Sequence, residues 1–182
     1  MVEPLPVAPI AGGQDLVVQV RPLDTSLGSE DRRRYGVDLS AYFSSFLVTI
    51  ENRTSHPLAV DLASSTLQEA SAQPREVLTD DELVRTYRYG REGSGSGGIE
   101  LVPKAPAMIK LELERIRAVR SGAVTVAPGE QIEQVLIFRP VAAGCGESLL
   151  TIRGVEVIDE PRGLEFRFPL TTCAARSAVG AP

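Results

Sequence analysis

The clearest pattern in the chain runs over 45–51, where Phe46, Val48 and Ile50 alternate with Leu47, Thr49 and Glu51. Apolar positions that recur every second residue put one face of an extended chain against a core and the other toward solvent, so a half-buried strand is predicted. The same signal recurs in β-branched form over 15–21, ended by Pro22, and over 148–157 and 164–172, the last with Phe166 and Phe168 on one face. Shorter strands are expected over 58–62, 65–70 and 123–127. The run 131–139 begins mixed and finishes with Val135-Leu136-Ile137-Phe138, four apolar residues in succession, as in a central strand buried on both faces. Turn chemistry separates these runs. Asn52-Arg53-Thr54-Ser55-His56-Pro57 and Pro128-Gly129 are the plainest cases.

Three segments break the two-residue period. Ser26 or Ser29 can cap a short helix over 30–35, which Gly36 would stop. Thr79-Asp80-Asp81-Glu82 reads as a capping box in which the Thr79 hydroxyl and the Glu82 carboxylate each satisfy the other's backbone N–H. Leu83, Val84 and Tyr87 follow on one helical face, and Gly90 is expected to end that helix. Over 108–119 the two periods compete. Ile109, Leu113 and Ile116 fall at helical spacing, Ile109, Leu111 and Leu113 at strand spacing. The pairs Glu112–Arg115 and Glu114–Arg117 favour the helix.

Strands joined by turns about every ten residues imply facing antiparallel sheets. The expected fold is mainly β: an immunoglobulin-like antiparallel β-sandwich with one or two helical inserts. The expected layout is a tether over 1–14, one domain over 15–174 with its helical insert near 79–121, and a tail over 175–182. A chain of 182 residues suits one domain. Sixteen Gly and thirteen Pro fit a strand-and-turn protein better than a helical one.

A net charge of −5 argues against nucleic acid, which needs a basic face. The one dense basic cluster, Arg32-Arg33-Arg34, directly follows Glu30-Asp31 and reads as a locally paired, solvated turn. No run approaches the roughly 18 apolar residues that span a bilayer, and the N-terminus lacks the basic start and apolar run of a signal peptide. A cytosolic protein and a chain starting after a removed signal both fit; the Pro/Ala/Gly-rich opening favours the second, and so an extracytoplasmic location. Gly93 to Gly98 has pure linker composition, whether as a native loop or as an engineered replacement.

Catalytic constellations are weak. The only histidine, His56, sits in a turn, so any nucleophilic triad would hang on that residue. Gly93, Gly95 and Gly98 match Gly-x-Gly-x-x-Gly but follow a helix instead of a strand, and no cofactor is expected. The carboxylates Asp24, Glu30, Asp31 and Asp38 share one irregular stretch. They are weak candidates for Ca²⁺ or for acid–base work, since they lack the order of a Ca²⁺ loop. Asn52-Arg53-Thr54 matches the N-glycosylation pattern. Cys145 and Cys173, 28 residues apart and outside any Cys-x-x-Cys motif, are either free thiols or a disulfide contributing about 3 kcal/mol. Tyr35, Tyr42, Phe43 and Phe46 form the densest aromatic group, either a core edge or a patch for a protein partner, with Tyr35, Tyr42 and Phe43 the partner candidates.

Arg34-Tyr35-Gly36-Val37-Asp38-Leu39, then 46–54, and later Val126-Ala127-Pro128-Gly129-Glu130 leading into 135–138, resemble segments of uncharacterised bacterial lipoprotein-like domains. The resemblance covers about half the chain and implies an immunoglobulin-like sandwich at the cell envelope, with no catalytic residues. It also implies that an apolar, membrane-seeking segment of that group is replaced here by the linker at Gly93 to Gly98. The leading expectation is a non-enzymatic binding or structural domain with a protein partner. The alternatives are a Ca²⁺-stabilised adhesion module and a small hydrolase using loop carboxylates.

Overall fold

The computed structural model describes residues 16–70, 72–93, 106–120, 122–141, 145–160 and 163–173. The segments expected as tether, tail and Gly-Ser linker (beyond Gly93) lie outside them.

Among the described residues, nine strands form two antiparallel sheets. The first holds β1 (Leu16–Pro22), β2 (Ser44–Asn52) and β7 (Gln131–Phe138) in the order β1-β2-β7. The second is organised on β8 (Cys145–Val157), which pairs along one side with β9 (Gly163–Cys173). Along its other side β8 takes β4 (Thr66–Glu69) and then β3 (Leu58–Val60), end to end. Outside these lie β5 (Arg75–Glu76) and β6 (Val124–Val126).

A bulge makes the double pairing of β8 geometrically feasible. The β8–β9 register shifts between Ile152 and Val155, and Gly154 sits there at φ +79°. The chain linking β3 to β4 folds over the bulge as a one-turn 3-10 helix (Leu62–Ser64), where the sequence pattern had suggested that the strand continues to residue 62. The Asp61 N–H donates to the Gly154 carbonyl at 2.7 Å. The Ser65 hydroxyl accepts from the Arg153 N–H at 3.1 Å and reaches the Arg153 carbonyl at 3.4 Å. An extra residue in one strand bends it and sharpens its twist, which lets it change partners along its length.

Among the described residues, three α-helices pack on the outer face of the first sheet. α1 (Glu30–Tyr35) begins at Ser29, whose hydroxyl accepts from the Arg32 N–H at 3.1 Å, and ends at Gly36 in the left-handed conformation. α2 (Asp80–Gly93) opens with the expected capping box: the Thr79 N–H reaches Glu82 at 3.1 Å and the Glu82 N–H reaches the Thr79 hydroxyl at 3.4 Å. It passes through Gly90, since one glycine in a helix costs only about 1 kcal/mol and does not by itself end it. α3 is Pro106–Val119, with Leu113 and Ile116 buried, so helical spacing prevails over the strand reading.

The layering produces two cores. Between the sheets lie Val48 and Ile50 from β2, Leu136 and Phe138 from β7, and Leu58, Leu67, Leu150, Ile152 and Val155 from the second sheet. On the other side, Leu47, Val135 and Ile137 meet Leu83 and Tyr87 of α2 and Leu113 and Ile116 of α3. Consecutive residues of β7 therefore serve different cores, which explains its unbroken apolar run. β7 is nevertheless an edge strand and β2 the central one. Burial on both faces comes from the layers above and below, and it does not report position within the sheet. The outer edge of β7 is partly closed by the Leu78 N–H, which donates to the Ile137 carbonyl at 2.9 Å.

Candidate functional site

The loop from Leu23 to Tyr42 is held by a few specific polar contacts. Asp31, in the first turn of α1 and buried, accepts both guanidinium nitrogens of Arg21 at 2.7 Å and the Asp24 N–H at 3.1 Å. The Arg21 hydrogen bonds outweigh burial and hold the Asp31 carboxyl below the usual carboxylate range. Thr25, fully buried, accepts the Leu39 and Ser40 N–H groups at 2.7 and 2.8 Å and so ties the two ends of the loop together. α1 is thereby fixed against β1, and its last turn projects Arg34 and Tyr35 over β7.

These two side chains form one wall of a cleft of about 290 Å³. α3 supplies Arg115, Ala118 and Val119 to another wall, and Glu133 and Val135 of β7 form the floor. Arg34 pairs with Glu133 and its guanidinium stands 5.2 Å from the centre of the Tyr35 ring. The Glu133 contact raises the affinity of Arg34 for its proton, and burial pushes the Tyr35 hydroxyl above its ordinary value. Arg115 has one polar contact among the described residues, donating to the Gly36 carbonyl at 3.1 Å. The cleft thus combines an aromatic ring, small apolar side chains, one neutralised cation and one cation that, among the described residues, has no carboxylate partner. That set can receive an anionic group carried on an apolar body.

The expected site residues separate. Of the aromatic candidates, Tyr35 alone lines the cleft. Phe43 is 4% exposed and belongs to the helix-side core, so it offers a partner almost no surface. Tyr42 is half-buried and meets Tyr87 edge-on, with ring centres 4.9 Å apart. The four loop carboxylates do not converge: Asp24 accepts from the Ser26 N–H at 3.0 Å, Asp38 from the Ala41 N–H at 3.1 Å, Asp31 is locked to Arg21, and Glu30 is exposed at the start of α1. Among the described residues no group of three or more His, Cys, Asp or Glu side chains is placed to hold a metal ion, and no helix is long and apolar enough to cross a membrane.

Asn52 is fully buried, and its amide nitrogen already donates to the His56 and Val126 carbonyls at 2.8 and 3.0 Å. That excludes glycosylation of the folded chain at this asparagine. Arg115 and Glu133 were not among the sequence-derived candidates. Glu133 lies 99 residues from its partner Arg34, and the sequence offers no local signal for that pairing.

The second sheet carries another cleft, of about 440 Å³, on its outer face near Gln68, Leu149, Pro169 and Thr171. No cation lines it.

No protein-family model matches the chain, and no curated protein matches it. Among solved structures, a crystal structure described as an ApaA protein from Bordetella pertussis aligns over 90% of this chain and 97% of its own, at 18% identity and a TM-score of 0.37.

Proposed function

We propose that this protein is a non-enzymatic binding domain that engages a protein partner through the cleft between α1, α3 and β7. The observation that carries the reading is the composition of that cleft. Tyr and Arg are the side chains that most often dominate protein–protein binding energy, and here Tyr35, Arg34 and Arg115 lie around small apolar residues on a face braced by two helices. Arg115 selects for a partner that presents a carboxylate, with Ala118, Val119 and Val135 receiving the apolar stem beside it. We read the facing sheets as an immunoglobulin-like sandwich, supported by the shared core between them, and place the domain at the cell envelope on the resemblance to lipoprotein-like domains.

A photo-crosslinking amino acid at Ala118, exposed on the cleft wall, tests the proposal in intact source cells, with Gln68 on the opposite sheet as control. A discrete adduct at position 118, absent at 68 and abolished by Arg115→Glu, is the expected result. Equal labelling at both positions, no adduct at 118, or an adduct indifferent to Arg115→Glu rejects the cleft as the binding surface. Fractionation of the same cells tests the envelope assignment, which fails if the protein is recovered with cytosolic markers.

A further inference from the structure

β8 and β9 set Cys145 opposite Cys173 in the antiparallel register. Opposed residues in such a pair alternate between hydrogen-bonded and non-hydrogen-bonded positions, and the backbones approach more closely at the second kind, about 4.5 Å between Cα atoms against about 5.5 Å. Two independent observations establish which kind this is. Pro169, opposite Leu149, has no N–H to donate to β8, so its position must be non-hydrogen-bonded. On the other strand, the Arg153 N–H and carbonyl both engage the Ser65 hydroxyl, on the side of β8 away from β9. The register runs without a shift from Cys145 to Ile152, so every second residue down β8 from Arg153, through Leu149 to Cys145, turns its backbone polar groups away from β9. Positions 145 and 173 are therefore a non-hydrogen-bonded pair. The Cα spacing usual for such pairs falls inside the 4.4–6.8 Å range that disulfides occupy.

We propose that Cys145 and Cys173 form a cross-strand disulfide that clamps the open end of the β8–β9 hairpin. Among the described residues β9 pairs with β8 alone, so within them its C-terminal end is held to the sheet by that one strand. The two-residue period places positions 145 and 173 on the sheet face of Glu147, Leu149, Pro169 and Thr171, which border the second cleft. The clamp therefore also fixes one wall of that cleft. The chemistry is thiol–disulfide exchange with a small disulfide such as oxidised glutathione. One cysteine thiolate attacks it and releases the first glutathione thiol. The second thiolate then attacks the protein sulfur of the mixed disulfide and releases the other. Two protein thiols lose two electrons and two protons, and the glutathione S–S bond is reduced. The proposal is independent of the α1–α3 cleft.

The full chain is equilibrated with oxidised glutathione, unfolded in iodoacetamide, and weighed intact. No alkylation is expected, with a mass about 2 Da below the dithiol form and a tryptic fragment joining the peptides that carry the two cysteines. Dithiothreitol should expose two alkylatable thiols and lower Tm by roughly 10 °C. Cys145→Ser and Cys173→Ser should each melt like the reduced protein and ignore the reductant. Two free thiols after oxidation, a glutathione retained on each cysteine, or a Tm that reduction does not move would each overturn the clamp.

Discussion

Gly154 is the position where a single added methyl group should be most damaging. A Cβ there would lie 1.8 Å from the Asp61 carbonyl oxygen and 2.8 Å from its carbon, both backbone atoms that no rotamer change can remove. Non-bonded carbons and oxygens settle at about 3.5 Å or more, so Gly154→Ala must push the 3-10 turn off the bulge by more than an ångström. That movement breaks the 2.7 Å Asp61–Gly154 bond and loosens the Ser65 contacts to Arg153. Two or three hydrogen bonds at about 1 kcal/mol each, and about 1–2 kcal/mol for alanine in the left-handed region, are offset by up to about 1 kcal/mol from the stiffer unfolded chain. The net loss is about 3–4 kcal/mol. Gly28→Ala is the matched control, with φ +88° and no atom within 4 Å of an added Cβ, so it incurs the backbone term alone, about 1 kcal/mol. Urea unfolding of both variants beside the wild type measures the difference. Equal losses in the two, or a Gly154→Ala loss under about 1 kcal/mol, would refute the close approach at the bulge.

Asn52→Ala removes a buried amide that donates to two carbonyls and accepts the Thr54 N–H and hydroxyl at 3.1 and 2.7 Å, and should cost about 3 kcal/mol in the same assay. A loss below about 1 kcal/mol would mean that water takes over its role. Asp31→Asn tests the α1 anchor through pH. Because Arg21 depresses the folded-state Asp31 pKa, its contribution is complete above the ordinary carboxylate value and is lost as pH falls through the depressed one. The variant should be about 1 kcal/mol less stable than wild type at neutral pH, and the two should converge as pH drops below about 4. Parallel stability curves would count against the ion pair.

Local signals were legible in the sequence where one residue's chemistry decides the outcome. Ser29 and Gly36 bracket α1, Thr79 and Glu82 start α2, and the alternation through Val48 sets which face of β2 meets the second sheet. Signals failed where tertiary context decides. The apolar run at the end of β7 is equally compatible with a central strand and with an edge strand covered on both faces, and the cover on its second face comes from helices encoded far away in the chain. The cleft was half visible. Tyr35 was legible as one of three aromatic partner candidates in a group that fitted a core edge as well, whereas Arg115 was read only as one half of an intrahelical pair with Glu112. In the fold Glu112 accepts from the Tyr87 hydroxyl and Arg115 donates to the Gly36 carbonyl.

The alternation of β7 between two cores limits how far the protein can be trimmed. Excising the α2–α3 region would leave all nine strands of the described residues, and every pairing of the first sheet, in the remaining polypeptide, so the shortened protein would look self-sufficient on paper. It would also leave Leu47, Val135 and Ile137 bare on one side of that sheet. The helical layer is therefore no detachable appendage, and a deletion variant lacking it would precipitate or cluster through the stripped face.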